Sequence, residues 1–183
     1  ASEVYALRVE YDGGAGSWRT KLYASTNRGA AFSSRGFIGQ GNRVALFSPR
    51  YGSTVMYLLD GLTLNKITPA THALVAVRSV SGAAALGSND RVSLSGGVDS
   101  GGNTFLYVFV VRSSASVTEI YRSLDGGASW TTRTNAPTNM FGFNSAESST
   151  RDPARVYVGG TNAYRSSDGA QSWQLVNSWP DYY

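Results

Sequence analysis

Apolar residues in this chain come in short β-branched and aromatic runs, separated by clusters of glycine, asparagine and serine. Residues 103–111 and 155–159 are two such runs, and each predicts a strand. A second strand is expected after each, over 117–123 and 162–166, and a last one beginning at Trp130 and at Trp173. Inner strands are expected ahead of these sets at 44–48, 91–95 and 141–144. Nowhere does the apolar spacing follow a helical period; the run 83–86 is too short for a helix. The pattern predicts an all-β chain.

The strands belong to a repeat. Residues 121–130 read Tyr-Arg-Ser-Leu-Asp-Gly-Gly-Ala-Ser-Trp, and residues 164–173 read Tyr-Arg-Ser-Ser-Asp-Gly-Ala-Gln-Ser-Trp. Seven of ten positions are identical, at an offset of 43 residues. A looser copy at 23–32 has Asn27 for the Asp and Phe32 for the Trp. Residues 55–64 have the strand and turn of 156–164 with no motif after them, as in a decayed copy. Four strands per unit of this length predict antiparallel blades, divided at 1–40, 41–78, 79–136 and 137–183.

The motif makes sense as a turn between the two outer strands of a blade. Asp125 and Asp168, with Asn27 in the looser copy, can accept bonds from backbone N–H groups a few residues on. Ser123, Ser166 and Ser25 add a hydroxyl partner, and Gly126, Gly127, Gly169 and Gly29 relieve the backbone where the bend needs positive φ. Trp130, Trp173 and Phe32 are expected to fold beneath the turn as an apolar cover. Every group has a structural task, so these aspartates are expected to lock turns and not to act as catalytic acids.

These motifs resemble Asp-boxes, also called BNR repeats, which occur in sialidases, xyloglucan-hydrolysing propeller enzymes, sortilin-type Vps10 domains and many secreted bacterial proteins. Arg155-Val156-Tyr157-Val158-Gly159-Gly160, followed by Tyr164-Arg165-Ser166, most resembles the sortilin-like and xyloglucanase-like members. The resemblance implies a β-propeller of four-stranded antiparallel blades, with the box on the blade periphery and away from the axial cleft. Propellers of this kind usually have more blades than the four or so that this chain supplies. The first unit starts at its second strand, near residue 4. The chain is then expected to be part of a larger propeller; alternatively its tail, 177–183, returns to supply the missing strand and closes a small ring.

Composition narrows the class. Charged residues make up 15% of the chain, against about 25% in soluble domains, which argues against disorder and coiled coils. Twenty-one glycines beside five prolines, with no collagen period, signal many tight turns. No apolar stretch is long enough to predict a membrane span. The net charge is +4, and 14 of the 16 basic residues are arginines, spread from Arg8 to Arg165. That dispersion reads as surface charge and not as a nucleic-acid patch. With no cysteine and only His72 as histidine, disulfides, thiol nucleophiles, Cys-based zinc sites and His clusters drop out. No metal or cofactor is expected, and His72 reads as the start of a strand. Richness in Ser, Thr, Tyr and Gly with few Lys suggests a secreted or cell-surface bacterial protein.

A glycosidase needs two carboxyls about 5–10 Å apart. Outside the motif the acids are Glu3, Glu10, Asp12, Asp60, Asp90, Asp99, Glu119, Glu147, Asp152 and Asp181, and the pattern places no two of them together. Asp12, Asp90 and Asp99 lie near glycine-rich loops that could reach a ligand, whereas Asp152 precedes a proline in a plain turn. Arg122 and Arg165 occupy matching places in the repeat and read as blade elements. The catalytic residues of a hydrolase stay unassigned. The loop at 13–16 lacks the Gly-Lys-Ser/Thr ending of a phosphate loop and reads as a hairpin connection. Tyr11, Trp18, Tyr51 and Trp179 lie outside the motif and are the candidate ligand contacts. The expected function is an extracellular module binding a glycan or a protein, its other partners being further blades or a second chain. The alternative is part of a secreted glycoside hydrolase of the xyloglucanase kind.

Overall fold

The computed structural model describes residues 3–49, 55–69, 71–113, 117–133, 137 and 145–178. They form four antiparallel sheets, each a meander of consecutive strands. Sheet 1 contains β1 (Val4–Asp12), β2 (Ser17–Ser25) and β3 (Ser33–Phe37). Sheet 2 contains β4 (Val44–Phe47), β5 (Met56–Asp60), β6 (Thr63–Ile67) and β7 (Leu74–Ser79). Sheet 3 contains β8 (Arg91–Val98), β9 (Thr104–Arg112), β10 (Val117–Ser123) and β11 (Thr131–Arg133). Sheet 4 contains β12 (Ser145–Ser148), β13 (Val156–Gly159), β14 (Ala163–Ser166) and β15 (Gln174–Asn177).

The first strands of successive sheets lie against one another, β4 on β8 and β8 on β12. Meanders that share a face and meet along their first strands are the blades of a β-propeller. Sheet 1 has three strands among the described residues, as expected of a unit that starts at its second strand. Its Ser25 turn follows β2, as the Ser123 turn follows β10 and the Ser166 turn follows β14. Sheet 1 therefore corresponds to the last three strands of the others, with β1 as its second strand. The inner strand of sheet 4 is Ser145–Ser148; residues 141–144, where it was expected, lie outside the described residues, as does the tail from 179 onward.

Three layers of core lie between the sheets. Leu22, Leu58 and Ile67 join sheets 1 and 2. Leu59, Leu64, Leu94, Val108, Val110 and Tyr121 join sheets 2 and 3. Tyr107, Phe109, Ile120, Val156 and Ala170 join sheets 3 and 4. Strand β9 is covered on both faces, so its sequence is continuously apolar where a half-exposed strand would alternate. Burying a side chain such as Phe109 contributes about 1.5–3 kcal/mol.

Candidate binding surface

The repeat turns are built from within. In the turn after β10, the Ser123 hydroxyl donates to Asp125 Oδ1 at 2.7 Å and accepts from the Gly127 amide at 2.8 Å. Asp125 then accepts the Ser129 amide at 2.9 Å and the Ser129 hydroxyl at 2.6 Å, one on each oxygen. The turn after β14 repeats this: Ser166 to Asp168 at 2.7 Å, Ala170 amide to Ser166 at 2.9 Å, and the Ser172 amide and hydroxyl to Asp168 at 3.0 and 2.6 Å. In sheet 1 the same frame forms with an amide in place of the acid, Ser25 to Asn27 at 2.8 Å and the Gly29 and Ala31 amides closing it at 2.9 Å. The Ser129 hydrogen bond, chief among several, brings the Asp125 carboxyl down to about 2. Ser172 likewise holds Asp168 well below the usual carboxylate range.

Gly127 has φ of 95° and rests on Leu64 of the preceding sheet, where a Cβ would collide. Trp130 is 8% exposed against the core of sheets 2 and 3, and Trp173 packs on that of sheets 3 and 4. Phe32 does not become a buried cover; it is 44% exposed, because among the described residues no sheet precedes sheet 1 to close over it.

The remaining acids are mostly spent on turns and clamps. Asp12 accepts the Gly14 amide at 3.1 Å and Arg19 Nη1 at 2.8 Å, closing the β1–β2 hairpin. Asp99 caps the β8–β9 turn through Asn103, amide at 2.8 Å and side chain at 2.9 Å. Asp152 forms a local pair with Arg155 at 3.4 Å. The Asp60 carboxyl is pushed up, by burial. One pair of carboxylates does meet, unforeseen from the sequence. Arg112, 8% exposed, takes Glu119 with two bonds of 2.9 Å and Asp90 with a third of 2.9 Å. Its other donors reach the Ala84 and Ala85 carbonyls at 2.9 Å. The hydrogen bonds of Ser113 to Asp90 and of Arg112 to Glu119 pull both carboxyls down. Two ionised acids filled by one guanidinium clamp the loop before β8 to the β9–β10 hairpin; neither is poised to give up a proton.

His72 lies in the turn before β7 and not in the strand, with φ of 56°. It is 6% exposed, and its Nδ1 meets the Tyr5 hydroxyl at 2.9 Å. Among the described residues no group of three or more His, Cys, Asp or Glu could hold a metal ion. No helix there is long and apolar enough to cross a membrane.

Of the four candidate ligand contacts, Tyr51 and Trp179 lie outside the described residues. Tyr11 and Trp18 are brought together as cross-strand neighbours at the tip of the β1–β2 hairpin. Their rings meet edge to face, centroids 5.9 Å apart and planes at 71°, and they are 58% and 65% exposed. The Asp12–Arg19 pair fixes the hairpin beneath them. This tip lies at the end of the blade opposite the repeat turn, because β2 runs between the two.

The fold and these surfaces define a propeller scaffold with an exposed aromatic tip. No protein-family model and no curated protein matches the chain. Among solved structures, it is similar to one described as YCF48 bound to D1 peptide, at 15% identity and a TM-score of 0.49 over 86% of this chain and 49% of that one. It is also similar to YCF48 from Cyanidioschyzon merolae, at 13% identity and a TM-score of 0.40, over 86% of this chain and 67% of that one. The chain thus spans about half the length of the first.

Proposed function

We propose that this chain is a non-catalytic propeller module, kin to the Asp-box proteins, that binds a protein partner through the tip of its β1–β2 hairpin. The observation that carries this reading is the Tyr11–Trp18 pair, two large aromatics more than half exposed on a braced hairpin. Tyr and Trp are the residues that anchor protein interfaces, since they bring large contact area at small entropic cost. Planes at 71° offer an edge-to-face notch, which suits a side chain better than the flat platform on which a sugar ring stacks. Against a hydrolase reading, the Asp90–Glu119 pair is occupied by Arg112 and both carboxyls are held ionised. An extracellular setting rests on composition alone.

The test is binding of the chain and of its Trp18→Ala variant to a displayed random-peptide library and to a glycan array. The expected result is selection of peptides whose affinity drops about tenfold or more in the variant. Glycan binding lost in the same variant would replace the protein partner with a sugar. Release of reducing ends from xyloglucan would overturn the non-catalytic reading.

A further inference from the structure

Sheet 2 is packed on both faces, against sheet 1 and against sheet 3, and β7 is its outermost strand. Among the described residues no strand pairs with the far side of β7. The ladder to β6 fixes which backbone groups point that way. The Thr68 amide donates to the Ala73 carbonyl at 2.9 Å, and the register sets Leu74 against Ile67, Val75 against Lys66 and Ala76 against Asn65. Bonded and non-bonded pairs alternate in an antiparallel ladder, so Val75 bonds to β6 while Leu74 and Ala76 turn their N–H and C=O outward.

The side chains along this stretch are uncovered as well. Leu74 is 38% and Val75 53% exposed, and Ala76 is exposed. Edge strands are ordinarily blunted by charge, proline, brevity or a bulge. The outer strand of sheet 1, Ser33–Phe37, carries two serines, Arg35 and Gly36, and that of sheet 3 is the short Thr131–Arg133. In β15 the register shift at Ala163/Tyr164 interrupts the pairing after Leu175. In β7 the shift falls at Leu64/Asn65 and the charge is Arg78, both beyond Ala76. Leu74 to Ala76 is thus an apolar, unbroken and unguarded edge.

The charges beside it select what can add there. Lys66, opposite Val75 and Tyr57, and Arg78, opposite Leu64, lie on the face that Tyr57 and Leu64 turn to sheet 3. Both are exposed, and neither forms an ion pair among the described residues. A second copy of β7 laid antiparallel on the first would bring another Lys66 and Arg78 to the same face, and like charge opposes that pairing. A strand with a carboxylate on that face is attracted instead.

We propose that β7 takes an added strand from a protein partner, an extended apolar segment that bonds to the Leu74 and Ala76 main chain and sets a carboxylate beside Arg78. Main-chain bonds then supply the affinity, and alternate side chains the choice of partner. The site is separate from the Tyr11–Trp18 tip and stands without it.

The test uses the unsubstituted chain and a synthetic peptide of about eight residues, valine and threonine in alternation with glutamate at both ends. The expected result is protection of the Leu74 and Ala76 amides from hydrogen exchange when the peptide is added. N-methylation of alternate peptide amides should weaken binding about tenfold or more. Ala76→Pro removes an outward donor and no ladder bond, so it should weaken binding as much with an unchanged melting temperature. Arg78→Glu should shift the preference to a peptide ended with lysine, and this variant and the N-methylated peptide decide the matter if Ala76→Pro does not fold. Absence of binding at millimolar peptide overturns the proposal, as does binding indifferent to N-methylation or to Arg78→Glu. Loss of binding in Trp18→Ala would move the peptide to the hairpin tip. A dimer of the unsubstituted chain that Ala76→Pro dissociates would replace the partner with a second copy.

Discussion

Sheet 1 and sheet 3 carry the same turn after the same strand, yet their faces toward the preceding position share almost nothing. In sheet 3 that face presents Val108, Val110 and Tyr121 to the core shared with sheet 2. The matching positions of sheet 1, by cross-strand register, are Ala6, Arg8 and Tyr23. Here Glu10 gathers Arg8 at 3.7 Å, Lys21 at 3.4 Å and the Tyr23 hydroxyl. The turn geometry survives the loss of its cover because its hydrogen bonds are local, serine to acid or amide and back to the next few amides. What the cover decides is the aromatic: Trp130 is 8% exposed and Phe32 44%. The turn is a self-sufficient unit, and the face beneath it is free to be core or solvent surface.

Four outcomes would break or sharpen this contrast. The largest is in the core. Phe109→Ala, between sheets 3 and 4, is expected to cost about 3–5 kcal/mol in urea unfolding. Val9→Ala on sheet 1, where the side chain is 51% exposed, should stay within about 0.5 kcal/mol. Equal losses would show that sheet 1 is as buried as sheet 3. Next, Asp168→Ala should cost about 1–3 kcal/mol through amides left unpaired. Asp168→Asn should recover most of that loss, because Asn27 already closes the same frame in sheet 1.

Smaller again is the response to acid. The Asp125 carboxyl titrates at about 2 in the fold, below its ordinary 3.8. A depressed carboxyl stabilises the fold above its ordinary value and loses that contribution as pH falls toward the depressed one. Melting temperature should therefore decline from about pH 4 to pH 2, and Asp125→Asn should flatten the decline, while substitutions at Asn27, which does not titrate, leave it unchanged. The smallest effect is expected for Trp130→Phe. The Trp130 Nε1 is buried with no hydrogen-bond partner among the described residues. Losing it removes an unsatisfied donor and partly offsets the lost contact area. A penalty as large as that of Phe109→Ala would show that the indole is held by more than packing.

The turns were legible in the sequence because each is written in one stretch of ten residues, Tyr121 to Trp130 or Tyr164 to Trp173. Strand β9 was legible because a strand covered on both sides is apolar throughout. The joints were not. Tyr107 finds the Pro153 carbonyl, and Arg122 the Gly169 carbonyl, across a gap between sheets that no local pattern spells out. The Arg112 clamp was hidden for the same reason: Asp90, Arg112 and Glu119 come from a loop and two strands, and in sequence each looks like ordinary surface charge. His72 misread as a strand start because its left-handed backbone is set by the turn around it and by Tyr5, not by its neighbours' propensities.

The three-stranded makeup of sheet 1 also bears on how the molecule comes apart. Among the described residues no strand pairs with the inner edge of β1, where the other sheets have their first strand, so alternate amides from Val4 to Asp12 have no ladder partner on that side. Hydrogen–deuterium exchange should therefore enter at β1 and reach β9 last, and a protease or a pulling force would peel the fan from that same margin. The charged Arg8 and Glu10 sit along this margin, where they discourage a stray strand from adding to it.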